Sequence, residues 1–380
     1  MTSESSPGFF SRHANKFKYL AGFVGGGYLL SKYAIYKFNQ FTIKQDVDLQ
    51  ARSNLKRRFE QNLQDCFFVV TSLLPSLSDN LFQELNVELL TTDLKLVGAK
   101  DQKRLMWNKL KLQTFTRTLS SIYLLNLLTL FTTIQLSLLG RLVYLDSVIA
   151  LNSHDSETDE MVRCVDENTE RQYLTLSWYI LNVGWKKFIE QFQVIVKLKL
   201  DGIPLNSPIN HDALLDIIKD IRTEFENSKP SWDTFLMPAE GHEEEIMSDG
   251  GKVKVDMKTN PRLLELVQET RDFLESPDFN NVLSSCLDES FTLLYELFKP
   301  TFYDSVVSLN PHKVSFSAGE GSTDSLEDIT SKSVALAGLL PLVSRSVHQI
   351  LNGMPNVFVD VLSSNPKLKT YSVVVYSGWE

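Results

Sequence analysis

The chain has 380 residues, which is enough for one large domain or two modest ones with a proper core. Its content of 43% hydrophobic and 22% charged residues is that of an ordinary globular protein, and excludes both intrinsic disorder and a multi-span membrane protein. The formal net charge of −9 argues against nucleic acid as a partner, because a phosphate-binding surface needs clustered Lys and Arg.

The N-terminal region predicts a membrane anchor behind a basic targeting segment. Residues 1–18 contain the cluster Arg12, His13, Lys16 and Lys18, and residues 19–36 are apolar or aromatic except at Lys32. A helix needs roughly 20 apolar residues to cross the hydrocarbon core, and a lysine near one end can snorkel to the interface. We therefore expect a transmembrane anchor over 19–36 and a linker over 37–50.

Two other interpretations of the apolar segment stay open, a cleaved signal peptide and a peripheral or buried segment. No small-residue cleavage site follows the segment, and basic residues on both of its sides leave the orientation undetermined by the positive-inside rule. The three cysteines are widely spaced and no Asn-X-Ser/Thr sequon occurs. Both features favour a domain that faces the cytosol.

Residues 51–380 carry apolar residues at helical spacing in segment after segment, while strand-like alternation is nearly absent. Asn260-Pro261 and Ser276-Pro277 are typical helix starts, since proline at the first helical position loses no hydrogen bond. The sequence predicts an all-α fold, a large bundle of long antiparallel helices on a single N-terminal transmembrane anchor. One helix is expected to end at Pro75, after the apolar stripe Leu55, Phe59, Leu63, Cys66, Val70 and Leu73.

Three polar stretches interrupt the helical pattern and are predicted to be mobile loops, near 153–168, 239–258 and 310–332. The second contains the acidic run 243–245, to which the sequence assigns no role.

Residues 118–140 contain no charged residue, so they could form either a membrane span or a buried helix. Their length suits a second membrane span, but their many Ser, Thr, Asn and Gln side chains favour a central helix buried in a bundle.

The helix that leads into this uncharged segment has an unusual distribution of apolar residues. At about 100° per residue, one face carries Leu105, Leu112, Phe115, Leu119 and Ile122, and this face is expected to pack into the core. Trp107 and Leu110 project to the opposite side. They are accompanied there by Lys103, Lys111 and Thr114. This second face is either covered by another helix or is a docking site ringed by positive charge, suited to an amphipathic helix with acidic flanks.

Motifs for catalysis are absent from the sequence. The six histidines are isolated, and there is no HExxH, GxSxG, P-loop or Cys–His pattern. We therefore expect no enzyme activity, no cofactor and no metal site. A membrane-tethered enzyme with a lipid-like substrate and a structural tether between organelles remain as rivals to a docking protein. A deep cavity with converging titratable groups would favour the enzyme.

Strings along most of the chain resemble the peroxisomal biogenesis factor 3 family. The order and spacing of these strings carry the resemblance more than any one of them does. They are the basic and glycine-containing segment 16–32, Arg57–Asn62, Leu74–Leu77, Trp107–Lys111, Thr114–Arg117, Ile134–Leu136, Tyr144–Asp146 and Glu269–Phe279.

The resemblance implies a cytosolic helical domain on a single-pass anchor in the peroxisomal membrane. It also implies docking of peroxisomal biogenesis factor 19, the soluble receptor-chaperone for peroxisomal membrane proteins, through an amphipathic N-terminal helix. The implied partner-binding residues are Trp107, Leu110 and Lys111, with Leu94 and Lys95 from the preceding helix. Some family members have a basic residue near the position of Gly338, next to the implied binding site, and this chain lacks it, so the resemblance implies no charge contact there. In fungi the family also recruits inheritance and pexophagy factors, whose surfaces the sequence does not locate.

Overall fold

The computed structural model describes residues 45–152, 165–303 and 332–378. The targeting cluster at Arg12, His13, Lys16 and Lys18 and the predicted anchor over 19–36 lie outside these residues. So does most of the predicted linker. Of the predicted loops, 153–164 and 310–331 also lie outside them, whereas 239–258 is described throughout.

The described residues form helices joined by short connections, as the all-α prediction requires. Two two-residue strands are the only β-structure in this part of the chain. The first half contains α1 (Gln45–Glu84), α2 (Val87–Leu96), α3 (Lys100–Asn152), α4 (Glu167–Leu174), α5 (Ser177–Tyr179), a π-helical turn (Ile180–Gly184), α6 (Trp185–Leu200) and β1 (Pro208–Ile209). The second half contains α7 (His211–Asn227), α8 (Asp233–Leu236), α9 (Glu243–Gly251), α10 (Pro261–Leu274), α11 (Pro277–Phe302), β2 (Val334–Ala335), α12 (Leu336–Ile350), α13 (Val357–Ser364) and α14 (Pro366–Ser377).

Helix α3 is the centre of the bundle, and α1, α6, α11, α12 and α14 all pack against it. Two contacts fix the direction of α1. The amide of Asn62 donates to the carbonyl of Leu136 at 2.8 Å, and Arg117 donates to the carbonyl of Leu85 at 3.2 Å. Later residues of α1 therefore meet earlier residues of α3, so the two long helices are antiparallel.

The uncharged segment of α3 lies inside the protein. In the described part of the chain, α3 is the one helix long and apolar enough to cross a membrane, but 94% of its apolar window is buried. Most of its polar side chains have internal hydrogen-bond partners, with the buried Thr132 hydroxyl as an exception. Thr129 donates to the carbonyl of Leu125 at 2.8 Å, and Asn126 donates to the Ser290 hydroxyl at 3.0 Å. The expected central buried helix is thus confirmed.

Pro75 does not end a helix, and the prediction that it does is wrong. Helix α1 continues through it to Glu84. An internal proline removes one backbone hydrogen bond and costs about 3 kcal/mol. Pro75 itself is exposed, while Leu74, Leu77 and Leu81 around it are fully buried. Burial of these leucines on both sides of the proline offsets the lost hydrogen bond and keeps the helix continuous.

The predicted loop at 239–258 is also wrong in part, because residues 243–251 form α9. The acidic run begins this helix, where carboxylates interact favourably with the helix dipole. Glu243 is buried, and its carboxylate accepts a hydrogen bond from Arg271 of α10 at 2.6 Å. The acidic run therefore has a structural role that its composition did not reveal.

The two predicted capping sites are confirmed. The side chain of Asn260 accepts from the amide of Leu263 at 3.1 Å at the start of α10, and Ser276 accepts from Phe279 at 3.2 Å at the start of α11. Near the other end of the chain, the antiparallel pair β1–β2 holds the beginning of α12. The amide of Leu336 also donates to the carbonyl of Ser207 at 3.0 Å. These bonds set where α12 enters the bundle.

Candidate partner-binding groove

A groove of about 420 Å³ runs between α2, α3 and α12. We call it the α2–α3–α12 groove. Seven of the side chains that line it are apolar, and they come from all three helices. The apolar lining is Val87, Leu94, Trp107, Leu110, Ala337, Leu340 and Pro341, and the polar lining is Glu88, Thr91, Thr114, Ser344, Arg345 and His348.

The α3 wall is built from Trp107, Leu110 and Thr114, which lie three and four residues apart and so face the same way. Leu110 and Thr114 are buried, whereas Trp107 is half-buried. A large indole that is partly open to solvent beside a buried leucine offers apolar surface that a second helix can cover.

The α2 wall comes from a ten-residue helix with few buried side chains. Asn86 caps it by accepting from the amide of Leu89 at 2.7 Å, and only Val87 and Leu94 of its residues are buried. These two, with Glu88 and Thr91, face the groove because they fall at helical spacing on one side. The outer face of this helix is polar or exposed.

The α12 wall combines apolar and basic side chains. Pro341, Arg345 and His348 are exposed at spacings of four and three residues, and Leu340 is buried beside them. The ring of His348 stacks on Phe82 of α1 with 4.8 Å between ring centroids. This stacking connects the outer edge of the groove with the end of α1.

Arg117 lies beneath the groove with no exposed surface. Its guanidinium donates to both carboxylate oxygens of Glu88, at 2.7 and 2.8 Å, and to the Ser344 hydroxyl at 2.7 Å. The hydrogen bond from Arg117 holds the pKa of Glu88 below its usual value. The one carboxylate that lines the groove is therefore already paired, and Arg345 adds a positive charge on the opposite wall.

The structure brings four of the sequence-predicted residues together in the groove, Leu94, Trp107, Leu110 and Thr114. Two predicted lysines, Lys95 and Lys103, are exposed but do not line it. Lys95 follows Leu94 directly, and Lys103 precedes Trp107 by one helical turn. Both charges thus belong to the surroundings of the groove.

Lys111 does not lie where the sequence placed it. It is buried, and its ammonium donates to the carbonyls of Leu200 at 2.7 Å and Ile203 at 2.8 Å, at the end of α6. Burial lowers the pKa of Lys111. Leu110 and Lys111 differ by about 100° around α3. The groove takes the Leu110 side, and Lys111 points to α6 and supplies positive charge to a helix C-terminus.

Leu105 was expected in the core, and this expectation is wrong, because the side chain is 69% exposed. The first turns of α3, from Lys100 to Leu105, are exposed throughout. The same stripe is half-buried at Leu112, two turns later, and Phe115, Leu119 and Ile122 are buried as predicted. The helical face was assigned correctly, but the helix begins beyond the edge of the bundle.

The sequence analysis placed one position of α12, Gly338, next to the groove, but it named none of the residues that form the α12 wall. Residues such as Leu340 and Arg345 are more than 200 positions from Trp107 in the sequence, and only the packing of α12 on α3 brings them together. The intervals of four and three residues between Pro341, Arg345 and His348 indicate that these side chains share one face of a helix. They give no indication of which helix lies opposite.

Other chemistry is sparse in the part of the chain that the structure describes. No group of three or more His, Cys, Asp or Glu residues there could hold a metal ion. A second depression of about 410 Å³ lies between α11 and α13. It is lined by Glu289, Val357, Asp360, Val361 and Ser364.

Comparison with known proteins places the chain in a family. The family model described as Peroxin-3 matches residues 8–102 and 95–378. Peroxisomal biogenesis factor 3 of Homo sapiens is 28% identical over 386 residues, covering 98% of this chain and 96% of the relative. Peroxisomal biogenesis factor 3 of Yarrowia lipolytica is 27% identical over 440 residues, covering 98% and 99%. Peroxisomal membrane protein PEX3 of Komagataella phaffii is 28% identical over 53% of this chain and 54% of the relative. The chain therefore belongs to the Peroxin-3 family of peroxisome biogenesis factors.

Proposed function

We propose that the protein is a docking factor of the peroxisomal membrane that binds peroxisomal biogenesis factor 19 in the α2–α3–α12 groove. The observation that carries this proposal is the half-buried Trp107, set among apolar side chains from three helices. The receptor would bring a client membrane protein to the membrane, where insertion follows without covalent chemistry.

The spacing of the lining residues supports an α-helix as the occupant. An amphipathic helix presents apolar residues at intervals of three, four and seven positions. These side chains form a ridge that packs into a groove between other helices. Trp107, Leu110 and Leu94 provide the apolar floor and walls. Tryptophan is the residue type most enriched where a few side chains carry most of the binding energy.

The charges support a helix with acidic residues beside its apolar face. Arg345 lies in the wall, and Lys95 and Lys103 are exposed nearby. Glu88 does not oppose such a partner, since Arg117 neutralises it. Opposite charges around an apolar groove raise the association rate and select the partner, an effect that weakens with salt.

The position of the groove supports docking away from the lipid surface. In this proposal residues 19–36 span the peroxisomal membrane once and the helical domain faces the cytosol. Helix α1 has 40 residues and so extends about 60 Å. The groove lies at the far end of this helix, next to Phe82, so the length of α1 separates it from the start of the helix.

Substitution of Trp107 tests this function. We expect Trp107→Ala to weaken binding of the purified receptor by about 2 kcal/mol or more, roughly 30-fold, in isothermal titration calorimetry with the full-length chain. Leu105→Ala is the matched control, because Leu105 is an exposed apolar residue two positions away on the other face of α3. Unchanged affinity in a folded Trp107→Ala variant contradicts the proposal.

The same titration separates this function from its rivals. A tether for inheritance or autophagy factors that used other surfaces would leave receptor binding absent in the wild-type chain. A lipid-converting enzyme would need titratable groups that converge in a closed cavity. In the groove, Arg345 and His348 are exposed and Glu88 is paired with Arg117.

A further inference from the structure

The guanidinium of Arg117 connects all the elements around the α2–α3–α12 groove from below. Besides Glu88 of α2 and Ser344 of α12, it donates to the carbonyl of Leu85, directly after α1. Its central carbon lies 4.5 Å from the centroid of the Phe82 ring, at the end of α1. One side chain of α3 thus contacts three neighbouring helical segments.

These contacts lead directly to the lining of the groove. Glu88 and Ser344 line opposite walls, and Phe82 stacks on His348, which also lines the groove. Arg117 itself has no exposed surface, so a bound partner does not touch it. Any influence on binding must therefore act through the walls.

The two walls differ in how firmly they are otherwise held. Helix α12 buries seven of its residues, but α2 buries only Val87 and Leu94. A buried guanidinium stays charged and must keep its hydrogen-bond partners. Since Glu88 is the only carboxylate partner of Arg117 among the described residues, satisfying Arg117 requires α2 to stay in place. The small α2 wall depends on this ion pair far more than α12 does.

We propose that Arg117 is a positioning residue that sets the width of the groove by holding α2 against α3 and α12. This inference rests on the proposed function for its meaning, whereas the hydrogen-exchange measurement that tests it does not require a receptor. The stretch Thr114–Arg117 carried part of the family resemblance, and Thr114 is its one residue that lines the groove. The positioning role gives a physical reason for the arginine at the end of this stretch.

The test compares Arg117→Lys with Arg222→Lys in the full-length chain. Lysine keeps the charge but loses the planar fork that binds two carboxylate oxygens at once. Arg222 is a matched control, because it too pairs with carboxylates and lies against an aromatic ring. It donates to Glu226 and Asp288 at 2.7 Å each and lies 5.0 Å from the Phe291 ring centroid, and its contacts are to α7 and α11, not to the groove.

Two measurements are made on each variant. In hydrogen–deuterium exchange, we expect the amides of residues 87–96 to exchange about ten-fold faster in Arg117→Lys, with α14 unchanged. In Arg222→Lys we expect α2 to keep its wild-type exchange. Receptor affinity should fall about ten-fold in Arg117→Lys and stay within two-fold in Arg222→Lys.

Unchanged exchange of α2 in Arg117→Lys overturns the inference, and so does an equal loss of affinity in both variants, which would indicate general destabilisation. If Arg117→Lys does not fold, Glu88→Gln replaces it under the same exchange criterion, because it alters the exposed end of the pair. Failure of the proposed function has a different signature. Trp107→Ala would then bind normally, while α2 exchange in Arg117→Lys would still decide the positioning role.

Discussion

Glu88 and Arg117 form an ion pair whose two ends lie in different surroundings. The arginine side chain is fully buried, while the glutamate side chain is 56% exposed at the groove. Because the hydrogen bond from Arg117 favours the carboxylate form, the folded pKa of Glu88 is lowered from its usual 4.5. The stabilisation from this pair is present above the unfolded pKa and is lost as the pH falls through the lower folded value.

A carbon-13 NMR titration of the glutamate carboxyls measures this effect. We expect the Glu88 resonance to titrate below pH 4.5 in the wild-type chain and to return toward 4.5 in Arg117→Met, since the donor is gone. A wild-type Glu88 that titrates at or above 4.5 would show that the pair does not form in solution.

Two leucines of one predicted stripe should differ sharply in their contribution to stability. Leu119→Ala removes a side chain that is 1% exposed, and we expect it to lower the free energy of unfolding by about 2–5 kcal/mol. Leu105→Ala removes one that is 69% exposed, and we expect a change within about 0.5 kcal/mol. Urea denaturation of both variants checks this, and equal losses would mean that the stripe is buried from its first turn.

At the scale of elements, the π-helical turn Ile180–Gly184 shows a constraint that composition does not reveal. A Cβ on Gly184 would overlap with the carbonyl oxygen of Phe235, so α8 packs directly on the glycine backbone. Backbone atoms cannot move aside as a flexible side chain can. Only glycine therefore permits this packing of α8 against the turn.

Substitution at this glycine should be costly. We expect Gly184→Ala to lower the free energy of unfolding by about 2 kcal/mol or more, because the added methyl forces α8 away. Gly202→Ala is the matched control, since a Cβ there meets no atom within 4 Å, and its effect should stay within about 0.5 kcal/mol. Urea midpoints compare the two, and a tolerated Gly184→Ala would contradict the close packing.

The limits of sequence-based prediction also lie at the scale of elements. Periodicity and capping residues predicted the helices at Pro261 and Pro277, because these signals are local. Pro75 and the acidic run 243–245 were misassigned, because burial of neighbouring leucines and the Glu243–Arg271 pair override local preference. For the site, the α3 face was predictable. The direction of Lys111 and the α12 wall depend on tertiary packing that no local pattern encodes.

At the scale of the whole molecule, the one described helix that is long and apolar enough to cross a membrane lies inside the bundle. The uncharged segment of α3 is surrounded by α1, α6, α11, α12 and α14 and is almost entirely buried. We expect residues 45–380, expressed without the predicted anchor, to stay in the supernatant without detergent and to show a helical circular dichroism spectrum. Detergent-dependent solubility of this fragment would contradict a single anchor outside the bundle.

Site-directed photo-crosslinking tests the central claim most directly, because it reports which surface the receptor covers. A benzoylphenylalanine at Thr91 in the groove should form an adduct with the N-terminal helix of peroxisomal biogenesis factor 19 when the full-length chain is irradiated. The same probe at Val194, which is 65% exposed on α6, should form none. Adducts at Val194 with none at Thr91 would contradict docking in the α2–α3–α12 groove.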